Sequence, residues 1–271
     1  MERQTGYEPA QGGPCTNPVT VPLSTMSPPG QVASGQPGQA QPVQWMPIPP
    51  TIPGCPPGLE YLCQLDQILV HQQVELLEVL THLEGQNKYK IKNSLGQQIF
   101  FAKEESDFLS RQHLRSGRSF IMHVVNNDNQ EVIRVIRPSQ NCVANIWKGV
   151  AEVFETRLRN LPGSLWSSHL EVLDASLKPV LKIRGPCCYC EGAHDIDFRV
   201  MTPDESQQIG NISKQWSGHL QERYTNADNF CINFPMDLDV RVKATLLGAL
   251  FLMDFMMFEQ RPMYNNQVQR Y

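Results

Sequence analysis

The sequence predicts a mostly β domain in which an antiparallel sheet surrounds a hydrophobic C-terminal helix, after a disordered proline-rich tail. Three observations support this fold class. Prolines are concentrated near the N-terminus, apolar and polar residues alternate through the middle of the chain, and one late segment is apolar on all sides. A period of two is typical of half-buried strands. A helix without a polar face needs a non-aqueous environment, which a closed sheet would supply.

Residues 1–57 form the predicted tail. They hold 14 of the 21 prolines and only three charged side chains. Such a stretch buries too little apolar surface to offset its ordering entropy, so we expect disorder. The tail includes Pro47, Pro50 and Pro53, and the Pro-x-x-Pro motif of Pro50 and Pro53 is typical of polyproline segments that bind SH3 or WW signalling domains. A solvated linker is the alternative interpretation.

The predicted folded body covers residues 58–259, followed by a short flexible tail at residues 260–271. A short helix is expected at residues 58–66 and a strand after Gln67. Tyr89 and Ile91 alternate with lysines before turn residues 93–96 and the apolar run 99–102, which predicts a hairpin. The same pattern recurs at residues 132–137, 170–172, 180–183 and 196–200. Short strands separated by regular turns indicate an antiparallel sandwich or barrel.

The last predicted element is a helix over residues 244–258. Its positions of interest are Ala244, Leu247, Leu250, Phe251, Asp254 and Phe258. A helix of 15 residues rises about 22 Å, whereas the hydrocarbon core of a bilayer is about 30 Å thick. Asp254 near the bilayer centre would cost about 2.5–3.5 kcal/mol. Two environments remain open: the interior of the sheet, or a single membrane crossing with a cytosolic N-terminus.

Composition narrows the classes of function. The 271 residues carry 23 Lys and Arg against 27 Asp and Glu, a net charge of -4 that argues against nucleic acid as a partner. No Gly-x-x-x-x-Gly-Lys-Ser/Thr motif is present, so ATP-driven work is not expected. No spacing of Ser, Cys, His and Asp predicts a catalytic triad, so we expect no bond chemistry. The charged N-terminus lacks an apolar run, and we expect no secretory signal.

Several motifs, in order along the chain, resemble the phospholipid scramblase family. They are residues 55–62 (Cys-Pro-Pro-Gly-Leu-Glu-Tyr-Leu), 65–73, 87–96, 185–187, 212–218, 226–230, 234–239 and 248–259. The resemblance covers about residues 56–259. It implies a tubby-like fold related to LURP-one proteins, a closed antiparallel barrel around the C-terminal helix. It also implies calcium-stimulated, ATP-independent movement of phospholipids in both directions between leaflets, palmitoylated cysteines, and a location at the cytoplasmic face of the plasma membrane.

The resemblance places a calcium loop at residues 226–237. The candidate ligands are Asn226, Asp228, the carbonyls near Phe230 and Ile232, Phe234 and Asp237. Asn226 replaces an aspartate of the family pattern and Cys231 replaces the glycine of the sharp turn, so we expect an affinity near 10⁻³ M, at about the weak end for such loops. The alternative is a turn and a strand, with Ile232 and Phe234 in the core and Asp237 or Asp239 capping the terminal helix.

Cysteines supply the second set of candidates. In a chain facing the cytosol we expect reduced thiols, acylation sites or metal ligands more than disulfides. The lipidation candidates are Cys142, Cys187, Cys188 and Cys190. Cys142 stands alone where the family has adjacent cysteines, and one acyl chain gives only marginal membrane attachment. A zinc site that adds His194 and a cluster of buried thiols are the alternatives for the other three.

Two basic segments complete the candidates. Residues 211–216 resemble the nuclear import motif of the family but lack two of its positive charges, so nuclear import is not expected. Arg111, His113, Arg115 and Arg118 form a basic loop that would meet an anionic leaflet. An ordinary solvated loop is the alternative.

Two functions follow from these patterns. The first is passive phospholipid scrambling, with residues 244–258 as the membrane segment. One short apolar helix offers no polar groove for a headgroup, so this function requires a homo-oligomer or a large rearrangement. The second is a membrane-associated interaction module, whose barrel binds protein or lipid while the tail recruits signalling domains. A helix enclosed by the sheet would favour the second function.

Overall fold

The computed structural model describes residues 43–73, 85–114, 118–138, 143–148, 151–160, 168–174, 176–186, 195–216 and 228–258. Within these ranges the chain is mostly β. The strands are β1 (Gln67–Gln73), β2 (Lys88–Lys92), β3 (Gln98–Glu105), β4 (Phe120–Val125), β5 (Glu131–Arg137), β6 (Val143–Lys148), β7 (Ala151–Asn160), β8 (Ser168–Leu173), β9 (Pro179–Arg184), β10 (Ile196–Met201), β11 (Gln208–Gln215) and β12 (Asn229–Asn233). The helices are α1 (Glu60–Cys63), α2 (Phe108–Leu114) and α3 (Val240–Met253), which continues into a π-helical turn (Asp254–Phe258).

Consecutive strands pair in antiparallel fashion. Strand β1 pairs with β2, where Leu69 lies opposite Lys92, and also with β12, where Gln67 lies opposite Asn233. Odd-numbered strands therefore end at one edge of the sheet, which we call the upper rim, and even-numbered strands end at the other, the lower rim. The structure confirms a mostly β, antiparallel body with a C-terminal helix.

The predicted hairpin at residues 88–102 is confirmed. Tyr89 and Ile91 of β2 are buried, whereas the three lysines that alternate with them are half-buried. Asn93 begins the turn, and its side-chain oxygen accepts hydrogen bonds from the amides of Leu95 and Gln97 at 3.1 and 2.9 Å. Gly96 takes a φ of 79°, a left-handed conformation that glycine adopts without strain. Polar residues thus close the turn while alternate apolar side chains enter the core.

Helix α3 runs through the core from the lower rim to the upper rim. It begins after Asp239, whose carboxylate accepts a hydrogen bond from the amide of Arg241 at 2.7 Å, as an N-cap residue does. Every residue from Lys243 to Met253 is buried. Of the two environments considered for this segment, the interior of the protein is the one observed. Within the described ranges, no helix has the length and apolar character needed to span a bilayer.

Residues 43–57 pack against the body. The amide of Met46 donates to the Gln98 carbonyl at 2.8 Å, and the amide of Gln98 donates to the Gln44 carbonyl at 2.8 Å. Pro49 is buried, and the Tyr61 hydroxyl donates to the Met46 carbonyl at 3.2 Å. The packed body therefore includes residues 43–57, which the boundary predicted at residue 58 assigned to the tail. The segment is held by main-chain hydrogen bonds to β3, which do not depend on residue type, so composition did not indicate this packing.

Candidate functional site

The helix positions singled out from the sequence lie together inside the sheet. Ala244, Leu247, Leu250 and Phe251 are buried, and the Phe251 ring contacts Tyr89 at a centroid distance of 5.0 Å. Phe258 ends the π-helical turn near the upper rim and is half-buried. The apolar surface of the helix is therefore covered by the protein's own strands.

Asp254 has a donor in the core. Its Oδ2 accepts a hydrogen bond from the Tyr89 hydroxyl at 2.5 Å, and both side chains are fully buried. The next residue, Phe255, stacks on Phe120 with ring centroids 3.9 Å apart. A buried carboxylate requires hydrogen bonds because the interior solvates it poorly. The acid that would be costly in lipid is thus accommodated by the protein.

Lys243 begins the buried stretch at the lower rim. Its Nζ donates to the carbonyls of Leu62, Leu65 and Met236 at 3.0, 2.8 and 2.7 Å, and lies 4.9 Å from the centre of the Phe234 ring. Burial lowers the pKa of Lys243 to about 8, although Cys63, Asp66 and Asp237 favour its charged form. Sequence reasoning missed this residue, although a lysine directly before an all-apolar run is a signal that could have found it.

Arg118 is not a surface cation. Its Nε donates to Glu104 Oε1 at 2.9 Å, and its guanidinium lies 4.5 Å from the centre of the Phe255 ring. Arg111 is also buried and donates to the Ser106 carbonyl at 2.6 Å. The predicted basic loop is therefore wrong for these two arginines, because internal acceptors bind them. His113 is exposed, whereas Arg115 lies outside the described residues.

The predicted calcium loop contains a strand. Phe230 and Ile232 belong to β12, which pairs with β1 and β11, and their side chains are buried together with Phe234. Asp228 precedes the strand at the upper rim and Asp237 follows it at the lower rim. Five strand residues separate them by about 17 Å. These residues do not converge on one ion, so they do not fit a calcium loop, and Asn226 lies outside the described residues.

The alternative interpretation of this segment, a turn and a strand, agrees with the structure. Asp228 forms an ion pair with Lys214, with Oδ1 and Nζ 2.9 Å apart. The same ammonium lies 4.2 Å from the centre of the Phe258 ring, so it also contacts the end of the helix. Asp239, rather than Asp237, caps α3. In the described part of the chain, no three His, Cys, Asp or Glu side chains are grouped to hold a metal.

The remaining candidates are only partly described. Cys142, Cys187, Cys188, Cys190 and His194 lie outside the described residues, so acylation and zinc binding stay predictions. Cys231 forms a disulfide bond, which departs from the expectation of reduced thiols. Pro47, Pro50 and Pro53 are exposed on the segment that packs beside β3.

Comparison with known proteins gives one consistent result. The model of a family described as Scramblase matches residues 46–260. Phospholipid scramblase 1 of Mus musculus is 43% identical over 259 residues, which cover 92% of this chain and 75% of that protein. Phospholipid scramblase 2 of Bos taurus is 44% identical over 239 residues, covering 84% and 80%. Phospholipid scramblase family member 5 of Homo sapiens is 44% identical over 241 residues, covering 84% and 88%. The chain therefore belongs to the scramblase family.

Proposed function

We propose that this protein moves phospholipids in both directions between the leaflets of a membrane, without ATP. The observation that carries the proposal is the family match, which spans residues 46–260, nearly the whole packed body. Relatives named phospholipid scramblases align over most of their own length. The site of action that we propose is the cytoplasmic face of the plasma membrane, and the work is passive transport rather than bond chemistry.

The enclosed helix limits how this transport operates. We infer that the strand pairs form a closed barrel of the tubby-like type, with α3 in its interior. Exposing α3 to lipid would break the contacts of Asp254 with Tyr89 and of Lys243 with three carbonyls. Buried groups that lose their partners in hydrocarbon are costly. Transport by the folded protein therefore uses the outer surface of the body, or a homo-oligomer of such bodies.

Helix α2 is the part of the upper rim that we propose contacts phospholipid. Phe108, Leu109 and Leu114 are 49%, 63% and 46% exposed on this short helix. Among the described residues of this segment, His113 is exposed, whereas Arg111 and Arg118 are buried and bound by internal acceptors. The contact that we propose is therefore mainly apolar, through side chains that enter the membrane interface.

The lipidation candidates are consistent with an upper rim that faces the membrane. Strand β5 ends and β6 begins at the upper rim, so the connection that carries Cys142 starts and ends there. The same holds for β9 and β10, whose connection carries Cys187, Cys188 and Cys190. Acyl chains on these cysteines would be attached at the rim that carries α2. Lipidation and α2 would then hold the same side of the protein toward the bilayer.

Reconstitution tests the function directly. Full-length protein in vesicles with labelled phospholipid should raise the flip rate above that of protein-free vesicles, with no ATP added. Substitution of Phe108 and Leu109 by Ser should reduce both vesicle binding and the flip rate. Leu95→Ser is the matched control, because Leu95 is 77% exposed but lies in the β2–β3 turn at the lower rim. A flip rate equal to that of protein-free vesicles would reject scrambling.

Calcium stimulation is a separate part of the proposal. Because residues 228–237 do not fit a calcium loop, stimulation would require a different site. Calorimetric titration of the full chain with calcium to millimolar concentration tests this. We expect no heat that Asp228→Ala alters. A binding heat lost in Asp228→Ala would restore residues 226–237 as the calcium site.

An interaction module is the second candidate function. The observation that favours it is the burial of α3, together with the exposure of Pro47, Pro50 and Pro53. In this case the body binds membrane through α2 while the proline segment recruits SH3 or WW domains. Binding of such domains that is lost in Pro50→Ala/Pro53→Ala, with normal vesicle binding and no lipid flipping, would select this function over scrambling.

A further inference from the structure

Two cysteines meet at the lower rim, next to the proline segment. Cys63 is the last residue of α1, and Cys55 lies before the turn that leads into α1. Their sulfur atoms are 3.1 Å apart, and both side chains are half-buried. The sulfurs of a disulfide are about 2.05 Å apart, so a movement of about 1 Å would bring these two into bonding distance.

The two thiols are in direct contact. The Cys63 thiol donates a hydrogen bond to the Cys55 sulfur. Lys243 Nζ lies beside this pair and donates to the carbonyl of Leu62, the residue before Cys63, at 3.0 Å. An oxidant that converts Cys63 to a sulfenic acid therefore finds Cys55 already placed to react with the product.

We propose that Cys55 and Cys63 form an intramolecular disulfide when the protein meets a hydroperoxide, and that this bond fixes the proline segment to α1. The Cys63 thiolate attacks a peroxide oxygen, the O–O bond breaks, and the sulfenic acid forms as the alcohol or water leaves. Cys55 sulfur then attacks the sulfenic sulfur, the S–O bond breaks, and the Cys55 proton leaves with the oxygen as water. Two electrons pass from the two thiols to the peroxide.

The bond would act on a segment that is already held at one point. Met46 and Gln98 join its N-terminal part to β3 through main-chain hydrogen bonds. Pro50 and Pro53 lie between that attachment and Cys55, and both are exposed. Oxidation would therefore hold the Pro-x-x-Pro motif at both ends. A protein domain that must rearrange this segment in order to bind it should bind the oxidised form more weakly.

Peptide mapping tests the bond. The full chain with Cys15→Ser is treated with hydrogen peroxide, alkylated, and digested with a protease that cleaves after glutamate. Cleavage after Glu8, Glu60 and Glu75 puts Cys55 and Cys63 on separate peptides, 9–60 and 61–75. We expect these peptides to become linked, to lose alkylation together, and to separate on reduction with dithiothreitol. The linked fraction should not depend on protein concentration, because the bond lies within one chain.

Single variants separate this proposal from general oxidation. In Cys55→Ser, peroxide should leave a sulfenic acid at Cys63 that dimedone traps, because the second thiol is missing. Peroxide should also raise the unfolding midpoint of the parent chain, but not that of Cys55→Ser or Cys63→Ser. The proposal is overturned if the two cysteines are alkylated independently after peroxide, or if either is linked mainly to another cysteine.

Discussion

The Tyr89 hydroxyl and the Asp254 carboxylate form a hydrogen bond of 2.5 Å in the protein core. The bond joins strand β2 to the π-helical turn that ends the buried helix, across 165 residues of sequence. Both side chains are fully buried. Because this contact is polar and specific, it fixes the position of the helix end more tightly than apolar packing alone would.

Removal of this hydrogen bond should destabilise the fold. Tyr89→Phe keeps the ring but takes a donor from a buried carboxylate, so we expect a loss of about 1–3 kcal/mol in the free energy of unfolding. Urea denaturation measures it. Tyr61→Phe is the matched control, because its hydroxyl donates at 3.2 Å to a main-chain carbonyl. Equal losses in the two variants would show that Asp254 does not depend on Tyr89.

The buried pair of Glu104 and Arg118 gives the second prediction. Arg118→Met leaves a carboxylate without its counter-ion in the core, so we expect a loss of about 3–5 kcal/mol. Adding Glu104→Gln should recover part of this loss. The neutral glutamine side chain can still accept the hydrogen bond that the main-chain amide of Asn87 donates to Glu104. Urea denaturation of Arg118→Met and of the double variant Arg118→Met/Glu104→Gln measures the free energy of unfolding of each.

A surface pair provides the control for this measurement. Arg134 is 46% exposed and lies 2.7 Å from Glu131, so Arg134→Met should cost less than about 1 kcal/mol. If Arg118→Met lowers the free energy of unfolding by no more than Arg134→Met does, the buried pair does not hold β3 and β4 to the end of the helix.

The alternation of Tyr89 and Ile91 was enough to predict the first hairpin, and the apolar run after Lys243 was enough to predict the core helix. Local patterns report these features because the residues concerned are neighbours in sequence. The partners of Glu104, Asp254 and Lys243 could not be predicted in this way. Arg118 and Tyr89 reach them only once the strands have their register, and the carbonyls around Lys243 come from three separate positions.

Gly210 gives a prediction about the β11–β12 contact. A Cβ at this position would lie 2.2 Å from the Asn233 carbonyl oxygen, so Gly210→Ala must displace the backbone of β12. We expect a lower unfolding midpoint and a loss above 1 kcal/mol, roughly the cost of overpacking. Gly54→Ala is the control, because Gly54 has a φ of 81° but no atom within 4 Å of an added Cβ. Gly54→Ala should lower the free energy of unfolding only through backbone strain. A larger loss for Gly54→Ala than for Gly210→Ala would contradict the prediction.

The ammonium of Lys243 should make stability depend on pH in the alkaline range. Its pKa is about 8 in the folded protein, against the ordinary lysine value of 10.5 that applies to the unfolded chain. Below pH 8 the lysine is charged in both states, and the folded state bears the full cost of burying that charge. Between these two values the unfolded chain binds more protons, so the contribution of Lys243 to the free energy of unfolding rises with pH.

The difference between wild type and Lys243→Met isolates this effect. Groups that do not interact with Lys243 contribute equally to both proteins and cancel. Tyr61 is one of them, and burial raises its pKa from the ordinary value of 10.0. Urea denaturation from pH 7 to pH 10 should show wild type gaining stability relative to the variant as pH rises above about 8. Lys178→Met, at an exposed lysine, is the control for the loss of a lysine side chain at the surface. A flat difference for Lys243→Met would mean that three carbonyls and the Phe234 ring solvate the ammonium as well as water does.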